Sequence, residues 1–128
     1  MDYSLLSPDI RSHALVGRFL QEWAVMEYML NSVLGKVLGL DNLTTAVVSK
    51  NIQLRDKTKI VKTAIDMSYV APEDKVRFAK IIDNISSLSA KRNIVAHDLF
   101  YPSADGSRTD FHVVKANGKL QFIDESWS

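Results

Sequence analysis

Apolar residues along the first third of the chain fall at helical spacing. Val16, Phe19, Leu20, Trp23, Met26, Leu30, Val33, Leu34, Val37 and Leu38 follow one another at intervals of one, three and four, so they share one face of a helix. Ser7-Pro8-Asp9 supplies its start: a capping hydroxyl, a proline suited to the first turn, and an acid for the positive helix end. Gly39 supplies its stop. The pattern therefore predicts a first helix from about Pro8 to Leu38, with Gly17 and Gly35 as sites where another helix can approach. Asp41-Asn42 offers a fresh cap for a short second helix through Thr44 to about Lys50. A third is expected from Leu54 to Ser68, with Leu54, Thr58, Val61 and Ile65 inward and Tyr69 continuing the stripe.

Ala71-Pro72-Glu73-Asp74 opens a fourth helix whose apolar face is expected to be Val76, Phe78, Ile81, Ile82, Ile85 and Leu88. It should reach His97 before Tyr101-Pro102 stops it. Beyond Pro102 the period changes from helical to alternating. The stretch TDFHVVKANGKLQFIDE reads as two strands joined at Asn117-Gly118, because Asn-Gly suits a turn in which both residues take positive φ. A two-residue turn places Phe111 and Val113 on one face with Leu120 and Phe122. A lone hairpin is marginal in water, so that face is expected to dock on helices. The fold class read from the pattern is all-α: one domain, 1–128, with an antiparallel helical bundle over 7–100 and a β-hairpin over 108–125.

Composition narrows the chemistry. There is no cysteine, which excludes a disulfide framework, a thiolate zinc site and a cysteine nucleophile. Sixteen Lys and Arg against fifteen Asp and Glu leave only local clusters to say anything about nucleic acid. The N-terminus lacks the basic start and apolar run of a signal peptide. No apolar window approaches a membrane span. The expectation is a cytoplasmic protein with no membrane partner.

Chemistry concentrates in KRNIVAHDLF, residues 91–100. Arg92 offers a permanent charge in a planar fork that matches phosphate oxygens. His97 titrates near neutrality and can take or give a proton at a ribose hydroxyl or leaving oxygen. Asn93 both donates and accepts hydrogen bonds, and shares a helix face with His97 four residues on. Arg92 and His97 are five apart, about 140° around an ideal helix. Joint use needs a loosened helix end, an Arg side chain that sweeps round, or a second copy of the chain; the last two together are favoured. The trio is a poor ligand set for Mg²⁺, so the chemistry suggested is cleavage without metal or cofactor.

Arg92-Asn93-Ile94-Val95-Ala96-His97 resembles the R-x4-H motif of HEPN domains, and the long first helix with Trp23 and Glu27 in QEWAVMEYML is similar to theirs. The resemblance implies a four- to five-helix bundle with the motif on a late helix, and a homodimer whose two motifs face one cleft. It also implies metal-independent RNA cleavage through attack by the 2′-hydroxyl. Many members are toxins or defence effectors, held in check by an antitoxin or regulatory protein. On that basis His97 is the general acid or base, Arg92 stabilises transition-state charge, and Asn93 orients phosphate or imidazole. Some members instead bind RNA, a nucleotide or a protein without cleaving, which is the alternative function. Members paired with nucleotidyltransferase antitoxins carry a Tyr two residues after the His; Leu99 stands there, with Tyr101 two further on.

Supporting roles follow from the helical faces. Glu27 lies in register with Leu20, Trp23, Leu30 and Leu34, where a carboxylate needs a partner; Arg92 is its expected counter-ion. Arg55, Lys59 and Lys62 fall on one face, with Lys50 and Lys57 nearby, as an expected track for RNA backbone or an ordinary solvated face. His13 and His112 are expected to be structural. Ser86, Ser87 and Ser89 are small polar residues suited to a close helix approach. Phe111 and Phe122 are read as packing residues rather than base-stacking ones.

Overall fold

The computed structural model describes residues 7–116 and 120–127. The chain forms two compact units: a terminal unit of Met1–Trp23 with Ala90–Ser128, and a central unit of Ala24–Ser89. Helices α1 (Pro8–Val37) and α4 (Pro72–His97) contribute to both. Helices α2 (Asn42–Asn51) and α3 (Leu54–Asp66) belong to the central unit, and strands β1 (Leu99–Pro102), β2 (Thr109–Ala116) and β3 (Leu120–Trp127) to the terminal one. The protein is thus mostly helical with a small antiparallel sheet. No helix among the described residues is long and apolar enough to cross a membrane.

In the central unit the caps decide where the helices end. The C-terminus of α1 closes in a Schellman arrangement: the Gly39 N–H bonds to the Lys36 carbonyl at 3.2 Å and the Leu40 N–H to that of Gly35 at 2.8 Å. Gly39 takes φ 68°, a conformation that costs glycine nothing. Asp41 then caps α2, its Oδ1 accepting from the Thr44 N–H at 2.7 Å. The core joins Leu30 and Leu34 of α1 to Val61 and Ile65 of α3 and Ile82 of α4.

Two expectations fail here. Helix α3 ends at Asp66 rather than Ser68; the Ser68 hydroxyl donates to the Ile65 carbonyl, and Tyr69 is fully exposed rather than inward. On α4 only Ile82 of the expected apolar face is buried, with Ile85 packed beside it, while Val76, Phe78, Ile81 and Leu88 are exposed. The apolar arc of α4 is wider than the part that the core covers.

The terminal unit departs further from expectation. Its sheet has three strands in the order β1-β2-β3, all antiparallel. The extra strand β1 starts two residues after α4 ends, and Pro102 closes it at a sheet edge, where the missing N–H is tolerated. Asn117-Gly118 lies outside the described residues. The register pairs Ala116 with Leu120 and Val113 with Ile123, which leaves three residues between the strands instead of two. Ile123, not Phe122, is therefore opposite Val113. One residue of register exchanges the two faces of a strand.

The core of this unit is Val95, Phe111 and Val113, with Val16, Phe19, Ile94, Phe100 and Trp127 packed against it. Its rings form a chain: Phe100 to Phe111 at 6.1 Å, Phe111 to Trp127 at 4.6 Å, Trp127 to Phe19 at 5.7 Å. A buried pair of hydroxyls, Ser12 and Thr109 at 2.9 Å, ties α1 to β2. In the β1–β2 loop Asp105 gathers the Ser107 N–H and the hydroxyls of Ser103 and Ser107. Those donors hold its carboxyl far below the usual range, as hydrogen bonds to a carboxylate do.

Candidate functional site

The motif occupies the last two turns of α4, inside the terminal unit. Val95 is buried against the sheet, so the residues flanking it on the helix are sorted by face: Ile94, Arg92 and Asp98 are half-buried, while Asn93, Ala96 and His97 are exposed. Two contacts fix this end of the helix. Lys91 places its ammonium 5.7 Å from the Trp127 ring centroid, a cation–π distance. Past the end, the Asp98 N–H still bonds to the Ile94 carbonyl at 2.9 Å, and β1 begins at Leu99. The helix does not loosen before His97.

Arg92 does not extend away from the stripe. Its Nη1 donates to the Asn93 Oδ1 at 3.3 Å. Arg92 Nε is buried without a hydrogen-bond acceptor among the described residues. A buried donor without a partner is costly. The last two turns of α4 thus carry a half-buried cation, Arg92, and an exposed amide and imidazole, Asn93 and His97.

Other expected residues have separate settings. Glu27 belongs to the central unit, half-buried at the border between the apolar stripe of α1 and a polar one. Its field acts on Lys57 of α3, whose side chain is only 8% exposed. Burial pushes the Lys57 ammonium below its ordinary pKa, Glu27 pulls it back up, and Lys50 pushes it down. Lys57 is therefore not part of an exposed basic track. Arg55, Lys59 and Lys62 are exposed on the face opposite Val61 and Ile65, and Lys62 pairs with Asp83 at 3.0 Å.

His13 is exposed at the start of α1, its Nδ1 2.8 Å from the Asp9 carbonyl oxygen and its ring edge-on to Phe100. His112 is half-buried in β2. The Ser87 and Ser89 hydroxyls donate to carbonyls of their own helix. Phe111 is 1% exposed and has no face to offer a base.

Sequence reasoning missed the anchors, Lys91 and Trp127, and a cleft between α1 and α2. The anchors pair residues far apart in sequence, so no local signal marks them. The cleft has a signal: Ala24, Glu27, Tyr28, Asn31, Ser32 and Gly35 recur at steps of three, one, three, one and three, a small and polar stripe beside the apolar one. Compared with models of protein families, with curated proteins and with solved structures, the chain matches none of them.

Proposed function

We propose that the chain is a metal-independent endoribonuclease of HEPN type that works as a homodimer. The observation that carries this reading is the Arg92–Asn93 hydrogen bond on the exposed helix face shared with His97. In the proposed reaction a ribose 2′-oxygen attacks the neighbouring phosphorus. His97 takes the hydroxyl proton or returns one to the departing 5′-oxygen, and a second copy of the motif supplies the complementary transfer. The P–O5′ bond breaks, leaving a 2′,3′-cyclic phosphate and a 5′-hydroxyl. Arg92 faces the charge that builds on the phosphoryl oxygens, where a fixed donor has its largest effect. Arg55 and Lys59 add positive potential for the RNA backbone.

Support for the homodimer comes from apolar surface in the central unit. Tyr28 and Met29 of α1 and Leu43 and Val47 of α2 are exposed, and large apolar side chains left in water on neighbouring helices favour a protein contact. A nuclease of this class needs restraint, so an antitoxin or regulatory protein is the further partner that the proposal carries.

The test is single-stranded RNA incubated with purified protein in EDTA, beside His97→Ala. Expected are fragments with cyclic phosphate ends, formed about a hundredfold or more slowly by the variant. Binding without cleavage would replace the enzyme by a non-catalytic module. No RNA effect, together with a large fall in melting temperature for Arg92→Ala, would leave the motif a purely structural role.

A further inference from the structure

The terminal unit holds a pocket that the motif does not use. It measures about 180 Å³ and has walls from three directions. Leu15 and Phe19 come from α1, Val95 from α4, and Thr109, Phe111 and Trp127 from the sheet. Val95, Thr109 and Phe111 are buried and form its floor, while Leu15, Phe19 and Trp127 are half-buried and form its rim. The Trp127 ring is tilted 48° to Phe111 and 53° to Phe19. A further ring can pack against such neighbours edge to face, an arrangement that aromatic groups prefer. Val95 turns toward this pocket while Asn93 and His97, two residues to either side, are exposed. The pocket therefore lies behind the helical turn that carries them.

One hydroxyl belongs to this apolar lining. Thr109 is 5% exposed, and its Oγ1 lies 2.9 Å from Ser12 Oγ. Two hydroxyls bring two protons, and the bond between them uses one. Neither hydroxyl has another hydrogen-bond partner among the described residues. With Ser12 as the donor, the proton of Thr109 is left without an acceptor, which is costly for a buried group. A single donor is too little to hold a water, which needs about two to four polar partners. An apolar cavity of about 150 Å³ stays dry and takes up benzene, so the space here suits one ring with a short substituent. Among the described residues no charged side chain lines it.

We propose that this pocket binds a small, neutral aromatic molecule carrying one acceptor oxygen, such as an aryl ketone. Its ring packs among Phe19, Phe111 and Trp127. Its oxygen accepts the Thr109 proton while Ser12 donates to Thr109, so both hydroxyls are satisfied. Acids and amines are selected against, because their ions would lose water without gaining a charged partner.

The experiment is an NMR titration of the full chain, followed on methyl signals, with acetophenone, ethylbenzene and benzoate as separate probes. Acetophenone should shift the methyls of Leu15, Val16 and Val95. Ethylbenzene has a similar shape without the acceptor and should bind about three- to tenfold more weakly, and benzoate not measurably. Ser12→Ala combined with Thr109→Val removes both hydroxyls and should bring acetophenone down to the level of ethylbenzene. Leu15→Trp fills the rim and should abolish binding of both, with a thermal melt as the check on folding; if that chain melts early, the double variant decides. No binding of acetophenone by the parent, or methyl shifts confined to other residues, overturns the proposal. So does equal binding of acetophenone and ethylbenzene, a double variant that keeps their difference, or a folded Leu15→Trp chain that binds as the parent does. RNA cleavage is read separately through His97, and none of these outcomes bears on it.

Discussion

The two units solve the problem of a core in opposite ways. The central unit is built from consecutive helices, and its core residues are aliphatic: Leu30, Leu34, Val61, Ile65 and Ile82. The terminal unit brings the two ends of the described chain together, Ser12 against Thr109 and Phe19 against Trp127, around a chain of rings packed with Val95 and Val113. Local contacts form at little entropic cost, whereas long loops must close before distant contacts gain anything. Large aromatic faces compensate, because each buries more area than an aliphatic side chain. The catalytic candidates stand on the second kind of core, and the cleft on the first.

The largest effect should come from emptying either core. Phe111→Ala is expected to cost about 3–5 kcal/mol and Leu34→Ala about 2–5 kcal/mol, measured by urea unfolding. Hydrogen exchange sharpens the comparison: Phe111→Ala should release amides of β1 to β3 first, and Leu34→Ala those of α2 and α3. If both variants lose protection everywhere at once, the two regions unfold as one and the contrast fails.

A smaller change tests the tight approach inside the central unit. Gly35→Ala adds a methyl that meets Thr45 Oγ1, Cγ2 and Cβ. Overpacking of about 1–3 kcal/mol should outweigh the gain of roughly 1 kcal/mol in helix propensity, lowering the melting temperature. Thr45→Ala in the same chain removes the two nearest clashing atoms and should restore most of it. An additive double variant would show that the helices do not meet there.

Electrostatic effects come next. Between the depressed folded pKa of Lys57 and its ordinary 10.5, the unfolded chain holds more protons, so stability should rise with pH in that window. Glu27→Gln removes the carboxylate that opposes desolvation and should lower the Lys57 pKa further, read from its ε-methylene NMR shifts. The smallest effect belongs to Asp41, whose carboxyl the Thr44 N–H holds below the ordinary carboxylate range. A depressed acid stabilises fully above its unfolded pKa, and loses that contribution as pH falls through the folded value. Asp41→Asn should therefore melt slightly lower than the parent at pH 6, with the gap closing toward pH 2.

How much was legible differs between the same two regions. The ends of α1 and the cap of α2 could be read directly, because Ser7, Pro8, Gly39 and Asp41 act on backbone groups within a few residues of themselves. The same holds for the sharing of one face by Asn93 and His97. Strand β1 was hidden because LFYP is four residues long and gains its pairing only from β2, with Leu99 opposite His112 and Pro102 opposite Thr109. The register slipped because the spacing Ala116 to Leu120 holds three residues, and nothing local to Asn117-Gly118 reports that. On α4, Phe78, Ile81 and Leu88 looked like core because periodicity measures which face is apolar, not whether anything covers it.

By itself, then, the sequence determined the helices, their caps and the chemistry gathered between Arg92 and His97, since each depends on neighbours along the backbone. Tertiary structure alone decided that Lys91 rests on Trp127. It alone made Gly35 a point of contact beside a charged cleft. Those outcomes depend on distances through space between residues that the chain order does not place together.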